Sequence, residues 1–286
     1  MSAITADAAD LRSGKGHGDE NFPVASLLIH PRHRPAVLAF YRFVRTADDV
    51  ADHVGLAAEA KLALLDRMGA ALAGREDTDR SARALRAELA ERGLDARHAF
   101  DLLHAFRTDV TKLRYADWRD LMGYCRYSAM PVGRFVLDVH RESESTWPAS
   151  DALCAALQVI NHLQDCAADY EGLDRVYLPL DALAAEGVGV EALAKPRASP
   201  ALRRVIVSLT RRTTALLDQS RPFAGQIRDR RLAAEVAIIQ ALAERLTARL
   251  LRCDPLSERV HFSKPQAGWI ALGAAARHWF SRRKSA

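Results

Sequence analysis

The stretch Ala36-Val-Leu-Ala-Phe40-Tyr41-Arg-Phe-Val-Arg45-Thr-Ala-Asp48-Asp49-Val-Ala-Asp52-His53 decides the fold. Ala36, Val37, Phe40, Val44 and Ala47 recur at spacings of three and four, as one buried face of a helix requires. The pattern predicts a helix over residues 33–53. A second stripe of that helix carries Tyr41, Arg45, Asp48 and Asp52, which places both carboxylates on one face about one turn apart. Leu38, Phe40, Phe43 and Val44 around them imply burial, and an ionised carboxylate buried alone costs on the order of several kcal/mol.

The pattern repeats farther on. Gln158-Val-Ile-Asn161-His-Leu-Gln164-Asp165-Cys-Ala-Ala-Asp169 again sets two aspartates four apart, with Asn161 and Gln158 on the same stripe. Ala155, Ala156, Leu157, Ile160 and Leu163 make this helix largely apolar. Either pair alone reads as a solvated acidic patch or an ion-pair network. Two such pairs, each aligned with amide or guanidinium groups, point instead to a cation held by carboxylates. Oxygen ligands without a His or Cys cluster suit a hard cation, and Mg²⁺ is the usual one beside phosphates.

Between and beyond these stretches the periodicity stays helical. Helices are expected over residues 57–72, 79–92, 96–112, 117–141, 148–172, 202–219, 229–251 and 264–282, with Gly93 and the polar run 74–79 as stops. Residues 173–200, which hold Pro179, Gly187, Gly189, Pro196 and Pro200, are the most broken region. No alternating strand pattern and no solenoid period emerges. The fold class is therefore all-α: a flexible segment over residues 1–20, then a single helical domain over 21–286 ending in a basic helix.

Bulk properties narrow the function. The chain has 286 residues, 49% hydrophobic and 27% charged, with a net charge of +5. That excess fits a phosphorylated ligand, anionic lipid or nucleic acid, and the absence of any helix-turn-helix, zinc-finger or RNA-binding signature removes the last. The four cysteines, Cys125, Cys154, Cys166 and Cys253, form no CxxC pair and lie in apolar helical stretches, as buried thiols do. The first residues lack the apolar core of a secretory signal, and no uncharged apolar run reaches the length of a membrane span. A cytoplasmic protein, soluble or peripheral on the inner membrane face, is expected.

Arg45-x-x-Asp48-Asp49-x-x-Asp52, Gln158-x-x-Asn161-x-x-x-Asp165-x-x-x-Asp169 and Gly172-Leu-Asp-Arg175-Val-Tyr-Leu-Pro179 together resemble the squalene/phytoene synthase family in order and spacing. The resemblance covers residues 22–259. It implies the isoprenoid-synthase helical bundle around a central apolar cavity, with the aspartate motifs on facing helices. Tyr124-Cys-Arg-Tyr-Ser-Ala-Met-Pro-Val-Gly133 is similar to a third family element, with Ala129-Met130-Pro131 where Ala-Gly is usual. Pro131 should kink or break its helix. Within the family the chain most resembles the branch of bacterial hopanoid biosynthesis that hydrates presqualene diphosphate. Glu20-Asn-Phe-Pro-Val-Ala-Ser26, Tyr127-Ser-Ala-Met-Pro131 and Asn161-His-Leu-Gln-Asp165-Cys166 carry that likeness. Gln164 stands where the family commonly has an arginine.

The resemblance implies a reaction and its residues. Asp48, Asp52, Asp165 and Asp169, with Asp49, are the expected Mg²⁺ ligands. Tyr41, Arg45, Gln158, Asn161, Arg175 and Ser26 are the expected substrate contacts, the two arginines for diphosphate. Arg45 and Arg175 can also simply pair with the aspartates, and Ser26 can be a helix cap. Diphosphate leaves an isoprenoid substrate, and water captures the rearranged cation. Tyr124, Asn161 and His162 are the candidates for guiding that water, with Tyr124 and Asn161 taken as catalytic. No hydride donor is needed, and no glycine-rich dinucleotide fingerprint is present. The rival readings are a transferase joining two prenyl diphosphates head to head and a non-catalytic assembly protein. Other squalene-pathway enzymes are the expected functional associates. Trp269, Ile270, Leu272, Trp279 and Phe280, followed by Arg282-Arg-Lys284, make the last helix either a docked element or one that lies on an anionic membrane.

Overall fold

A computed structural model describes residues 28–284, with side chains to residue 279. Ser26 and the segment 20–26 lie outside the described residues. Helices dominate, and the sole bridge outside them among the described residues joins Arg114 to Val176. The described residues fall into two compact units.

The first unit comprises the described part of Met1–Lys112 together with Arg134–Arg141. Its helices are α1 (Arg34–Asp52), α2 (Ala58–Leu72), α3 (Arg80–Arg92) and α4 (Arg97–Thr111). Pro35 sits in the first turn of α1, where its missing N–H costs nothing. Asp79 caps α3 by accepting from the Ala82 amide at 2.7 Å, and Gly93 ends that helix in the left-handed region at φ 63°. Both punctuation marks fall where the pattern of polar residues placed them. Phe43, Leu65, Met68, Leu85, Leu102 and Leu103 fill the core. Each fully buried leucine or phenylalanine contributes roughly 1.5–3 kcal/mol. Phe40 of α1 stacks on Phe135, ring centroids 3.8 Å apart.

The second unit comprises Leu113–Gly133 and the chain from Glu142 onward. It opens with α5 (Trp118–Ser128), and the chain crosses back into the first unit within α6 (Met130–Val139). The expected helix over 117–141 is thus two helices. They part at Ala129, with φ −123° and ψ −48°, because Pro131 has no N–H to continue the ladder. The expected helix over 148–172 is also two: α7 (Trp147–Gln164) and α8 (Cys166–Leu173), parted at Asp165 with φ −105° and ψ 9°. Next come α9 (Leu180–Ala185), α10 (Pro200–Ser220), α11 (Phe223–Gln226), α12 (Arg230–Leu250) and α13 (Lys264–Lys284). α10 packs along α7, and α12 packs on both α10 and α13. The region over 173–200, expected to be the most broken, holds only the short α9 and a 3-10 turn at Val190–Ala194.

All four cysteines are free, and burial pushes the Cys125 and Cys166 thiols up to about 12, which leaves them inert. Among the described residues no helix is long and apolar enough to cross a membrane.

Candidate active site

In the first unit the polar stripe of α1 forms an acidic cluster. Arg45 lies against two of its carboxylates, Nη1 at 2.9 Å from Asp48 Oδ2 and Nη2 at 3.0 Å from Asp49 Oδ1. Asp49 is buried, and Asp48 and Asp52 are half-buried one turn apart on the same helix. Asp109 of α4, also buried, adds its charge to theirs. The Asp48 carboxyl is pushed up to about 8 by burial and by Asp52, against the pull of Arg45, with Asp109 and Asp49 adding further repulsion. Its side chain keeps 32% of its surface, so solvent screens part of this effect. Asp48, Asp49, Asp52 and Asp109 thus gather carboxyl groups in one place, and their donor set is made of oxygen. That is a fit for a hard divalent cation.

Asp109 is the residue that sequence reasoning missed. It occupies the position that follows Leu102 and Phe106 along the buried face of α4, and an acid at a core position of an apolar stripe is the signal that could have found it.

In the second unit the stripe Gln158, Asn161, Asp165, Asp169 survives the break between α7 and α8. The Asp165 amide donates to the Asn161 carbonyl at 2.9 Å, and the Asp169 amide to the Asp165 carbonyl at 2.8 Å. Asp165 has bridge-region backbone angles, a conformation frequent at active sites. The chain then turns at Asp174, φ 51°, whose side chain receives Arg114. The Arg175 amide donates to the Asp169 carbonyl at 3.1 Å, which ties that buried arginine to the motif.

Gln164 is buried, and its side-chain amide donates to the Val260 carbonyl. Arg249 Nη1 donates to the His261 carbonyl at 2.8 Å. Together these bonds bring His261 Nε2 to 3.9 Å from Asp165 Oδ1. At the position where an arginine is usual, this chain has a clamp on the segment between α12 and α13.

Behind the motif sits an aromatic cluster. Tyr115, Tyr124 and Tyr177 are buried, with ring centroids 5.3 Å and 5.5 Å apart. His162 stacks on Tyr177 at 3.5 Å with its ring tilted by 15°. Burial, and then the charge of Arg175, pull the His162 imidazole down to about 3, so it is neutral. Each unit thus holds one of the two predicted aspartate pairs. Tyr41, Arg45, Asp48, Asp49 and Asp52 are gathered in the first, and Tyr124, Gln158, Asn161, Asp165, Asp169 and Arg175 in the second.

Comparison with known proteins adds to this geometry. The sequence profile described as squalene/phytoene synthase matches residues 15–266. A hydroxysqualene synthase of Rhodopseudomonas palustris is 60% identical over 267 residues, covering 93% of this chain and 91% of that protein. Another, from Zymomonas mobilis, is 52% identical over 277 residues, covering 96% and 93%. Among solved structures, a squalene synthase from Alicyclobacillus acidocaldarius superposes with a TM-score of 0.72 at 33% identity, over 86% of this chain and 92% of that one.

Proposed function

The chain belongs to the squalene/phytoene synthase family, and on that premise we propose that it is a hydroxysqualene synthase: a lyase that converts presqualene diphosphate and water to hydroxysqualene and diphosphate. The observation that carries this is 60% identity to a hydroxysqualene synthase along nearly the whole of both chains. The retained aspartates support it, because an assembly protein has no use for a cluster of carboxylates at such electrostatic cost.

Asp48, Asp52 and Asp49 in the first unit, and Asp165 and Asp169 in the second, are the residues that would hold Mg²⁺, with Asp109 beside the first set. Bound there, the metal supplies charge neutralisation for the departing diphosphate. Arg45 and Arg175 present guanidinium groups suited to phosphate oxygens. Tyr41, Gln158 and Asn161 share the stripes of the carboxylates and position the polar end of the substrate. The C–O bond breaks with its electron pair on the diphosphate, the cyclopropylcarbinyl cation rearranges, and a water oxygen forms the new bond and loses a proton. Tyr124 and its aromatic neighbours give that cation a polarisable surface.

A second reading, the head-to-head transferase, draws on the likeness to a squalene synthase structure. The deciding assay offers presqualene diphosphate and farnesyl diphosphate separately, with Mg²⁺ and without NADPH, and identifies products by mass spectrometry. Hydroxysqualene from presqualene diphosphate alone is expected. A C30 product from farnesyl diphosphate alone would put the transferase in its place.

The substrate and product are lipids, and α13 offers a surface on which to meet them. Trp269, Leu272 and Trp279 are 76%, 65% and 57% exposed, and with Ala276 they fall three and four apart on one face. Lys264 and Arg277 are exposed on the same helix, and Arg282-Arg-Lys284 close its sequence. Interfacial tryptophans with basic neighbours match an anionic bilayer, each lysine or arginine near the surface adding about 1 kcal/mol. The protein should co-sediment with vesicles rich in phosphatidylglycerol, less with zwitterionic vesicles, and lose both on changing Trp269, Leu272 and Trp279 to alanine. If vesicles are ignored and those substitutions instead split a dimer in gel filtration, the stripe is a contact between copies.

A further inference from the structure

Of the three candidates for guiding the water, His162 is the one that the roles given above do not include. It lies on α7 beside Asn161 and one turn before Asp165, and it is 7% exposed. Its ring is held flat against Tyr177, with Tyr124 at 6.1 Å. Stacking fixes the ring plane and leaves the in-plane nitrogens to make directional contacts. Nε2 is buried and has no hydrogen-bond partner among the described residues. An unsatisfied buried nitrogen costs about 1–3 kcal/mol. Such a deficit is usually met by a water or a ligand.

We infer that His162 Nε2 holds the water that captures the rearranged cation. This rests on the hydroxysqualene synthase reading and adds to it the residue that selects an alcohol over a hydrocarbon. In the tautomer that carries its proton on Nδ1, Nε2 accepts a hydrogen bond from the water. The water oxygen, with its lone pairs free, forms the C–O bond to the cation. The product oxonium then gives its extra proton to Nε2, and from there to the released diphosphate, the stronger base. A neutral imidazole suits the task, because a charged one would repel the cation it serves; burial and Arg175 keep this ring neutral. The flat stack on Tyr177 prevents the ring from turning its nitrogen away. Without the water at Nε2, the cation loses a proton to form a hydrocarbon instead.

The test is His162→Phe, which keeps a flat ring on Tyr177 and removes the acceptor, with His162→Gln restoring a polar atom. Diphosphate release and the share of product that is hydroxysqualene are measured together from presqualene diphosphate in isotope-labelled water. In the phenylalanine variant diphosphate release should stay within a few-fold of the parent. Its alcohol share should fall about tenfold or more, the scale of one lost positioned hydrogen bond, with dehydrated hydrocarbons in its place. The glutamine variant should recover part of the labelled alcohol. An unchanged alcohol share in the phenylalanine variant overturns the role of His162, and if that variant does not fold, an unchanged share in His162→Ala does so. A parent enzyme that makes no hydroxysqualene at all overturns the underlying reading instead.

Discussion

Asp48→Asn should lower turnover on the order of a thousandfold while making the metal-free protein more stable at alkaline pH. On the proposed function, the first effect follows from removing a charged group that would hold the metal beside the departing diphosphate, a loss worth about 4 kcal/mol in the barrier. The second follows from the carboxyl group's environment. Burial, and then Asp52, Asp109 and Asp49, raise its pKa from 3.8 toward about 8 in the folded chain. Between those two values the folded state binds a proton that the unfolded state has released, so stability falls as pH rises through that window. Asparagine has no proton to lose and keeps an oxygen for the Arg45 guanidinium, now 2.9 Å from Asp48. The variant should therefore show a flatter Tm against pH than the parent. Mg²⁺ should raise the parent's Tm more at pH 8 than at pH 6, and the variant's by less at both. Equal pH slopes for parent and variant would show that the cluster is solvated rather than strained.

Opposite shifts in stability and activity would mark the acidic cluster as functional, and the sequence carries much of that cluster openly. Tyr41, Arg45, Asp48 and Asp52 were legible because helical periodicity alone puts them in line, and α1 runs straight through them. Asp165 and Asp169 were legible for the same reason. The break between them was not, because Asp-Cys-Ala-Ala contains neither glycine nor proline. Its backbone bonds keep the four-residue spacing, so the motif survives a change of geometry that periodicity cannot detect. Pro131 announced its break correctly, since a missing N–H is a local property. Gln164 shows the opposite case. Its replacement of an arginine is visible in the sequence, but its partner, the Val260 carbonyl, lies 96 residues away. The stacking of His162 on Tyr177 is likewise a product of tertiary packing, as is the approach of Asp109 to the α1 stripe.

Glu142→Ala should be among the most destabilising substitutions outside the acidic cluster, lowering stability by about 3 kcal/mol and Tm by roughly 6–12 °C. The Glu142 side chain is 2% exposed, in the second unit just before the segment that leads to α7. Oε1 accepts from the Asp229 amide at 2.8 Å, and both oxygens lie within 3.1 Å of the Arg228 amide. Those amides immediately precede α12, where the helix dipole favours negative charge. The Arg228 guanidinium, at 3.5 Å, is 73% exposed and adds little, so the backbone amides account for most of the effect. Alanine leaves them without an acceptor in a place that water reaches poorly. Glutamine keeps one carbonyl oxygen and should cost about 1 kcal/mol, because the amides retain an acceptor but lose the charge that strengthens the bond. Arg228→Ala, which removes only the exposed guanidinium, should shift Tm by no more than a few degrees. If Arg228→Ala proved as costly as Glu142→Ala, the ion pair and not the amide cap would be what anchors the start of α12.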